Sequence, residues 1–146
     1  MTEGEQRAAV VVAARAWLGT EYHHAARVKG AGVDCAQILA VSFSEAGVIA
    51  DFFIPPYPPD WHMHRSEERY VQTIERFATE YDPKVFEPLP GDVVAWRYGR
   101  TFSHGAIVSQ WPKVIHAFAA YGSVVETPVA DFAGEREMRA FSVWPR

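Results

Sequence analysis

The sequence predicts an α+β fold, with helices in its first half and strands in its second. Apolar residues recur at helical spacing up to about residue 82, and from Pro90 onward the texture changes to short β-rich runs. Size gives the third observation, since 146 residues, 49% of them hydrophobic, match one domain spanning 1–146.

Taken in order, Thr2 and Glu5 have the spacing of a capping box. Val10, Ala14, Trp17 and Leu18 follow at helical spacing before Gly19 stops the run, which predicts a first helix. Residues 20–33 contain Tyr22, His23, His24 and glycines, the composition of a loop that brings backbone close to a ligand. Asp34 is placed to cap a second helix running from about Cys35 to Ala46. Gln37 sits at its third position and Gly47 ends it, with Cys35, Leu39, Ser42, Phe43 and Ala46 on one side. The prolines of IPPYPPDW (54–61) exclude regular structure there. Ser66 then starts a third helix whose apolar stripe is Tyr70, Ile74, Phe77 and Tyr81, ended by Pro83. Five strands are expected over 92–98, 103–110, 113–119, 123–127 and 138–144, and the short Trp-Pro turn between the second and third favours an antiparallel hairpin.

Composition excludes several classes of function. The formal charge is −4 and the basic residues are scattered, so no footprint for nucleic acid exists. A lone cysteine forms no internal disulfide and fits a reducing site of synthesis. The N-terminus is acidic where a secretory signal is basic, and no run of eighteen apolar residues spans a membrane, so synthesis in the cytoplasm is expected. No cofactor motif is present. His23, His24, His62 and His64 lack the paired cysteine or acidic motif of a metal site, so none is expected.

The chemistry-bearing residues are Cys35, His104 and His116. A helix N-terminus favours the thiolate, so Cys35 is expected to be a low-pKa nucleophile; on a helix it equally suits the role of a small buried hydrophobe. His104 and His116 flank the predicted hairpin at even spacing, which puts them on one face, directly opposed or one diagonal step apart. One imidazole then takes the thiol proton while the other orients it; the alternative is two satisfied histidines on a half-buried sheet. Asp92, after Gly91, reads as a turn residue, and Trp61, Trp96 and Trp111 as core or groove wall.

These strings resemble the NlpC-type papain-like cell-wall peptidases. The resemblance rests on DCAQILAVSFSEAG around Cys35, PLPGDVVAW at 88–96, SHGAIV around His104 and VIHAF around His116, in the family's order and over most of the chain. It implies a papain-like fold with N-terminal helices packed on an antiparallel sheet, Cys35 as nucleophile, His104 as base and His116 as orienter. Tyr22 matches a tyrosine that lines the family's site, and Tyr22, Asp34 and Ala36 complete the candidate set as substrate-binding or oxyanion groups. Ala36 and Gln37 stand where many members have Ser-Gly. The implied substrate is a peptidoglycan stem peptide, cut near a D-γ-glutamyl to diamino acid bond. YHHAARVKGAGVDC and YPPDWHMH resemble the peptidases of phage tail and gene-transfer-particle clusters, which implies phage tail proteins as partners and delivery in such a particle. The rival readings are a thioester-forming acyltransferase on the same fold and a non-catalytic tail assembly or binding component.

Overall fold

The first helix, α1 (Glu3–Arg15), begins as its sequence requires. Thr2 accepts from the Glu5 N–H, and the Glu5 side chain accepts from the Thr2 N–H, a reciprocal cap worth about 1 kcal/mol. The helix ends before Trp17, whose ring is buried, and Leu18, which is exposed. The structure, a computed structural model, describes residues 1–57 and 68–146.

A two-stranded ribbon follows in the stretch expected to be a loop, with β1 (Arg27–Val28) paired to β2 (Gly32–Val33). It turns the chain into α2 (Gln37–Glu45), which starts two residues later than the sequence suggests. Asp34 still does the capping: its carbonyl accepts from Ile38 N–H, and its Oδ1 accepts from the N–H groups of Ala36 (3.1 Å) and Gln37 (2.9 Å). Every residue from Gln37 to Phe43 is buried, so α2 meets solvent only at its last two residues, Ser44 and Glu45. It packs against α1 and the sheet, and its Ser42 hydroxyl donates back to the Ile38 carbonyl.

The third helix, α3 (Arg69–Glu75), is shorter than its apolar stripe predicts, and its expected start at Ser66 lies outside the described residues. Tyr70 and Ile74 are on its buried side, but Phe77 follows the helix and Tyr81 belongs to a strand, β3 (Thr79–Tyr81), paired to β8 (Met138–Ser142). Backbone pairing with a free sheet edge wins over a helical pattern that one more turn would have continued.

The other strands are β4 (Val93–Tyr98), β5 (Thr101–Gln110), β6 (Lys113–Phe118) and β7 (Ser123–Pro128), close to the expected runs. They form an antiparallel sheet in the order β3-β8-β4-β5-β6-β7, with the Trp111-Pro112 turn joining the β5–β6 hairpin. Both faces are covered. Val93, Ala95, Ile107 and Ile115 pack on the helices, while Val94, Trp96, Ala106 and Val108 build a smaller core on the opposite face.

Asp92 is more than the turn residue its sequence suggests. It is fully buried and accepts from Arg7 Nη1 (2.8 Å), the Tyr81 hydroxyl (2.6 Å) and the Leu89 N–H (3.0 Å), tying α1 and β3 to the start of β4. Desolvation is the largest influence on Arg7, yet its bonds to Asp92 and Glu3 hold its pKa above the usual value.

Candidate active site

At Cys35, the chain passes from the β1–β2 ribbon into α2, and the thiol is carried against the middle of β5. A register shift between Trp96 and Arg97 leaves Ser103 as the extra residue of a β-bulge: Trp96 pairs with His104, and Arg97 with Phe102. The carbonyl of Ser103 accepts the Cys35 thiol at 3.7 Å. The Cys35 thiol thus meets the β5 backbone at Ser103, and the next residue along the strand, His104, stands beside Trp96.

The two histidines meet as their spacing predicts. His104 Nε2 lies 2.9 Å from His116 Nδ1, and His116 Nε2 lies 2.9 Å from the Thr127 hydroxyl on β7. This chain of bonds fixes the tautomers for one chemical purpose. If His104 Nδ1 is to accept a proton, Nε2–H must donate to His116 Nδ1, and His116 Nε2–H must then donate to Thr127 Oγ1. Aromatic rings enclose the pair, with Phe118 centred 4.5 Å from the His104 ring and Phe132 stacked 4.3 Å from His116.

Burial sets the protonation of all three groups. Desolvation, followed by the charge of His116, lowers the His104 pKa well below the ordinary imidazole value, and desolvation lowers His116 to about 4. The Cys35 thiol, 6% exposed, is pushed above the usual thiol range first by burial and then by the charge of Asp34. The hydroxyls of Tyr22 and Tyr70 and the N–H of Cys35 itself oppose that shift and are outweighed. The direction of these shifts runs against the expected low-pKa thiolate: burial favours the neutral thiol and the neutral form of both imidazoles. No hydrogen bond joins the Cys35 thiol to either imidazole.

Tyr22 reaches the thiol, and its own pKa is raised by burial and then by Cys35 and Asp34. Asp34 is a buried junction whose Oδ2 accepts from Ala25 N–H (2.6 Å) and from the Tyr57 hydroxyl. The Ala36 N–H is held by Asp34 Oδ1, so an oxyanion role would compete with that bond, whereas the Cys35 N–H is directed at its own sulfur.

Sequence reasoning passed over three of these residues. Tyr70 donates to the Cys35 carbonyl at 2.7 Å, and Gly105 makes room for it, because a Cβ there would lie 2.7 Å from the Tyr70 hydroxyl oxygen. Thr127 and Tyr57 complete the set. Only the glycine after His104 was a visible signal of close approach.

His23 pairs with Glu21, and His24 Nε2 bonds to the Tyr57 carbonyl at 2.9 Å. Among the described residues, no three metal-ligating side chains are grouped to hold an ion, and no helix is long and apolar enough to cross a membrane. Trp61, His62 and His64 lie outside the described residues.

Neither a family model nor a curated protein sequence matches the chain. Solved structures do. The NlpC/p60 domain of the peptidoglycan hydrolase SagA has a TM-score of 0.64 at 21% identity, over 91% of this chain and 96% of that domain. NlpC1 from Trichomonas vaginalis has a TM-score of 0.67 at 14% identity, over all of this chain and 46% of that one. RipD from Mycobacterium tuberculosis, described as a non-catalytic NlpC/p60 domain protein adapted to peptidoglycan binding, has a TM-score of 0.64 at 11% identity, over 95% and 98% of the two chains. The fold is that of the NlpC/p60 domains, the papain-like α+β architecture expected from the sequence.

Proposed function

We propose that the chain is a cysteine hydrolase that cleaves peptide bonds of peptidoglycan stem peptides near a D-γ-glutamyl to diamino acid bond. The observation that carries this reading is the His104–His116–Thr127 chain of hydrogen bonds, which ends one residue from the carbonyl that holds the Cys35 thiol. Hydrolase neighbours on the same fold support it.

On this reading, substrate entry draws the thiol off the Ser103 carbonyl toward His104 Nδ1. The proton passes from sulfur to Nδ1 as Sγ attacks the scissile carbonyl, so the charged pair forms only during reaction. The Cys35 N–H and the Tyr22 hydroxyl, both directed at the Cys35 sulfur, serve as donors to the developing oxyanion. The proton moves on to the leaving amine, the C–N bond breaks, and a thioester remains. Water, deprotonated by the same nitrogen, then releases the acid and restores the thiol.

A second reading follows from the buried thiol and the resemblance to RipD: a domain that binds peptidoglycan without cleaving it. Product analysis on purified muropeptides separates the two, since a hydrolase yields a new amine and a new carboxylate and a binder yields neither. Transfer of the acyl group to an added amine would mark an acyltransferase instead. Delivery to the wall in a phage-like particle is proposed from the sequence strings, and fractionation of particles from a producing strain tests it; the chain found only outside particles would remove that part.

A further inference from the structure

Beside the nucleophile lies a cleft of about 530 Å³, walled by Arg27, Gln37, Asp51, Phe52, Phe53 and Tyr57. It adjoins the site through two bonds to Asp34, the residue before Cys35, one donated by the Gln37 N–H and one by the Tyr57 hydroxyl. The lining is mostly apolar, and Phe53 is 75% exposed. Among the described residues that line it, the Arg27 guanidinium is the one positive group.

Arg27 is held in place. Its Nε donates to Gln37 Oε1 at 2.9 Å and its Nη1 to Asp51 Oδ1 at 2.7 Å, while Nη2 has no partner among the described residues. The buried Gln37 amide fixes the planar fork without neutralising it. Asp51, with its side chain 64% exposed, is a counter-ion that solvent can readily replace. The far wall is also fixed. Arg76 donates to the Phe53 carbonyl at 2.8 Å and lies 4.1 Å over the Phe52 ring. Asp34 is surrounded by four donors, the N–H groups of Ala25, Ala36 and Gln37 and the Tyr57 hydroxyl, which blunts its repulsion of an incoming anion.

We infer that this cleft is a substrate subsite in which Arg27, oriented by Gln37, binds a carboxylate carried by the peptide, with Asp51 as the internal carboxylate it displaces. A carboxylate presents two oxygens to the fork, Nη2 being open and Nη1 released by Asp51, and the apolar walls cover the neighbouring methylenes. The inference rests on the proposed function for the choice of peptide, and its test reads binding, so the two fail separately.

The probe is a γ-D-glutamyl-diamino acid peptide with a free α-carboxylate on the glutamyl residue, compared with the same peptide amidated there. Calorimetry on Cys35→Ala protein measures affinity without turnover. The free acid should bind roughly tenfold tighter than the carboxamide, the factor expected for one charge-assisted contact. Arg27→Gln should abolish that preference without weakening the carboxamide. Asp51→Asn should tighten the free acid alone, a gain that a merely structural ion pair does not produce. That surface change also keeps the test decisive if the Arg27 variant does not fold. Equal affinity for the two peptides, binding of neither, or no gain in Asp51→Asn overturns the subsite. A clear preference with no product from wild-type protein leaves the subsite standing and overturns the hydrolase reading.

Discussion

Nε2 of His104 lies 2.9 Å from Nδ1 of His116, across two strands that place both rings in one aromatic enclosure. That contact leaves Nδ1 of His104 as the ring nitrogen outside this chain of bonds, the one to which the proposed mechanism gives the thiol proton, and Thr127 holds the far end of the chain. Thr127→Val should lower kcat roughly fivefold with KM unchanged, as losing a hydrogen bond of about 1 kcal/mol predicts. His104→Ala should cost roughly 10²–10⁴-fold, and His116→Gln less, because an amide can still accept from Nε2–H. Steady-state kinetics on a muropeptide checks the ranking; His116→Gln losing more than His104→Ala would reverse the assignment.

The thiol should react sluggishly toward small electrophiles. Burial and Asp34 push its pKa above the usual thiol range, so the thiolate fraction at neutral pH is below that of free cysteine. Iodoacetamide alkylation of native protein should still be climbing with pH beyond about 8.5, where a peptide thiol begins to level off. An alkylation plateau reached below pH 7 would show an ion pair at rest.

Stability should fall in mild acid. His104 and His116 have folded pKa values below their unfolded ones, so the unfolded chain binds more protons as pH falls from about 6.5, the unfolded histidine value, toward about 4. The contribution of the neutral pair is complete above that window and is lost through it. Urea midpoints from pH 7 to 4.5 should drop, and His116→Gln should flatten the drop. A flat profile in the parent protein would contradict buried neutral imidazoles.

Gly105→Ala should destabilise by about 1–3 kcal/mol, the usual cost of overpacking, because the new methyl group meets the Tyr70 hydroxyl oxygen at 2.7 Å. Displaced Tyr70 would also release the Cys35 carbonyl. Urea unfolding of the variant checks the first effect, and the alkylation rate of Cys35 the second.

The strands were legible because β-branched and aromatic runs alternate with turn residues from Asp92 onward, and the histidine pair because even spacing about a hairpin keeps one face. Strand β3 was hidden: Phe77 and Tyr81 continue the helical stripe of Tyr70 and Ile74, and only the free edge of β8 decides otherwise. Tyr57, Tyr70 and Thr127 carry no local signal, since their roles arise from contacts with Asp34, Cys35 and His116 made by tertiary packing. The charge state of Cys35 was misjudged for a related reason. The sequence shows both the favourable helix terminus and the opposing carboxylate of Asp34, but burial, the larger cause, appears only once the chain is folded.

Whether Cys35 performs acyl transfer to water is read most directly from the products formed in ¹⁸O-labelled water from the free-acid γ-D-glutamyl-diamino acid peptide, by wild-type protein and by Cys35→Ala. Hydrolysis through a thioester at Cys35 predicts a free diamino acid and a glutamyl carboxylate carrying one ¹⁸O from wild-type protein, and none from the variant. Cleavage that persists in Cys35→Ala, or no cleavage by wild-type protein that nonetheless binds the peptide, would contradict it.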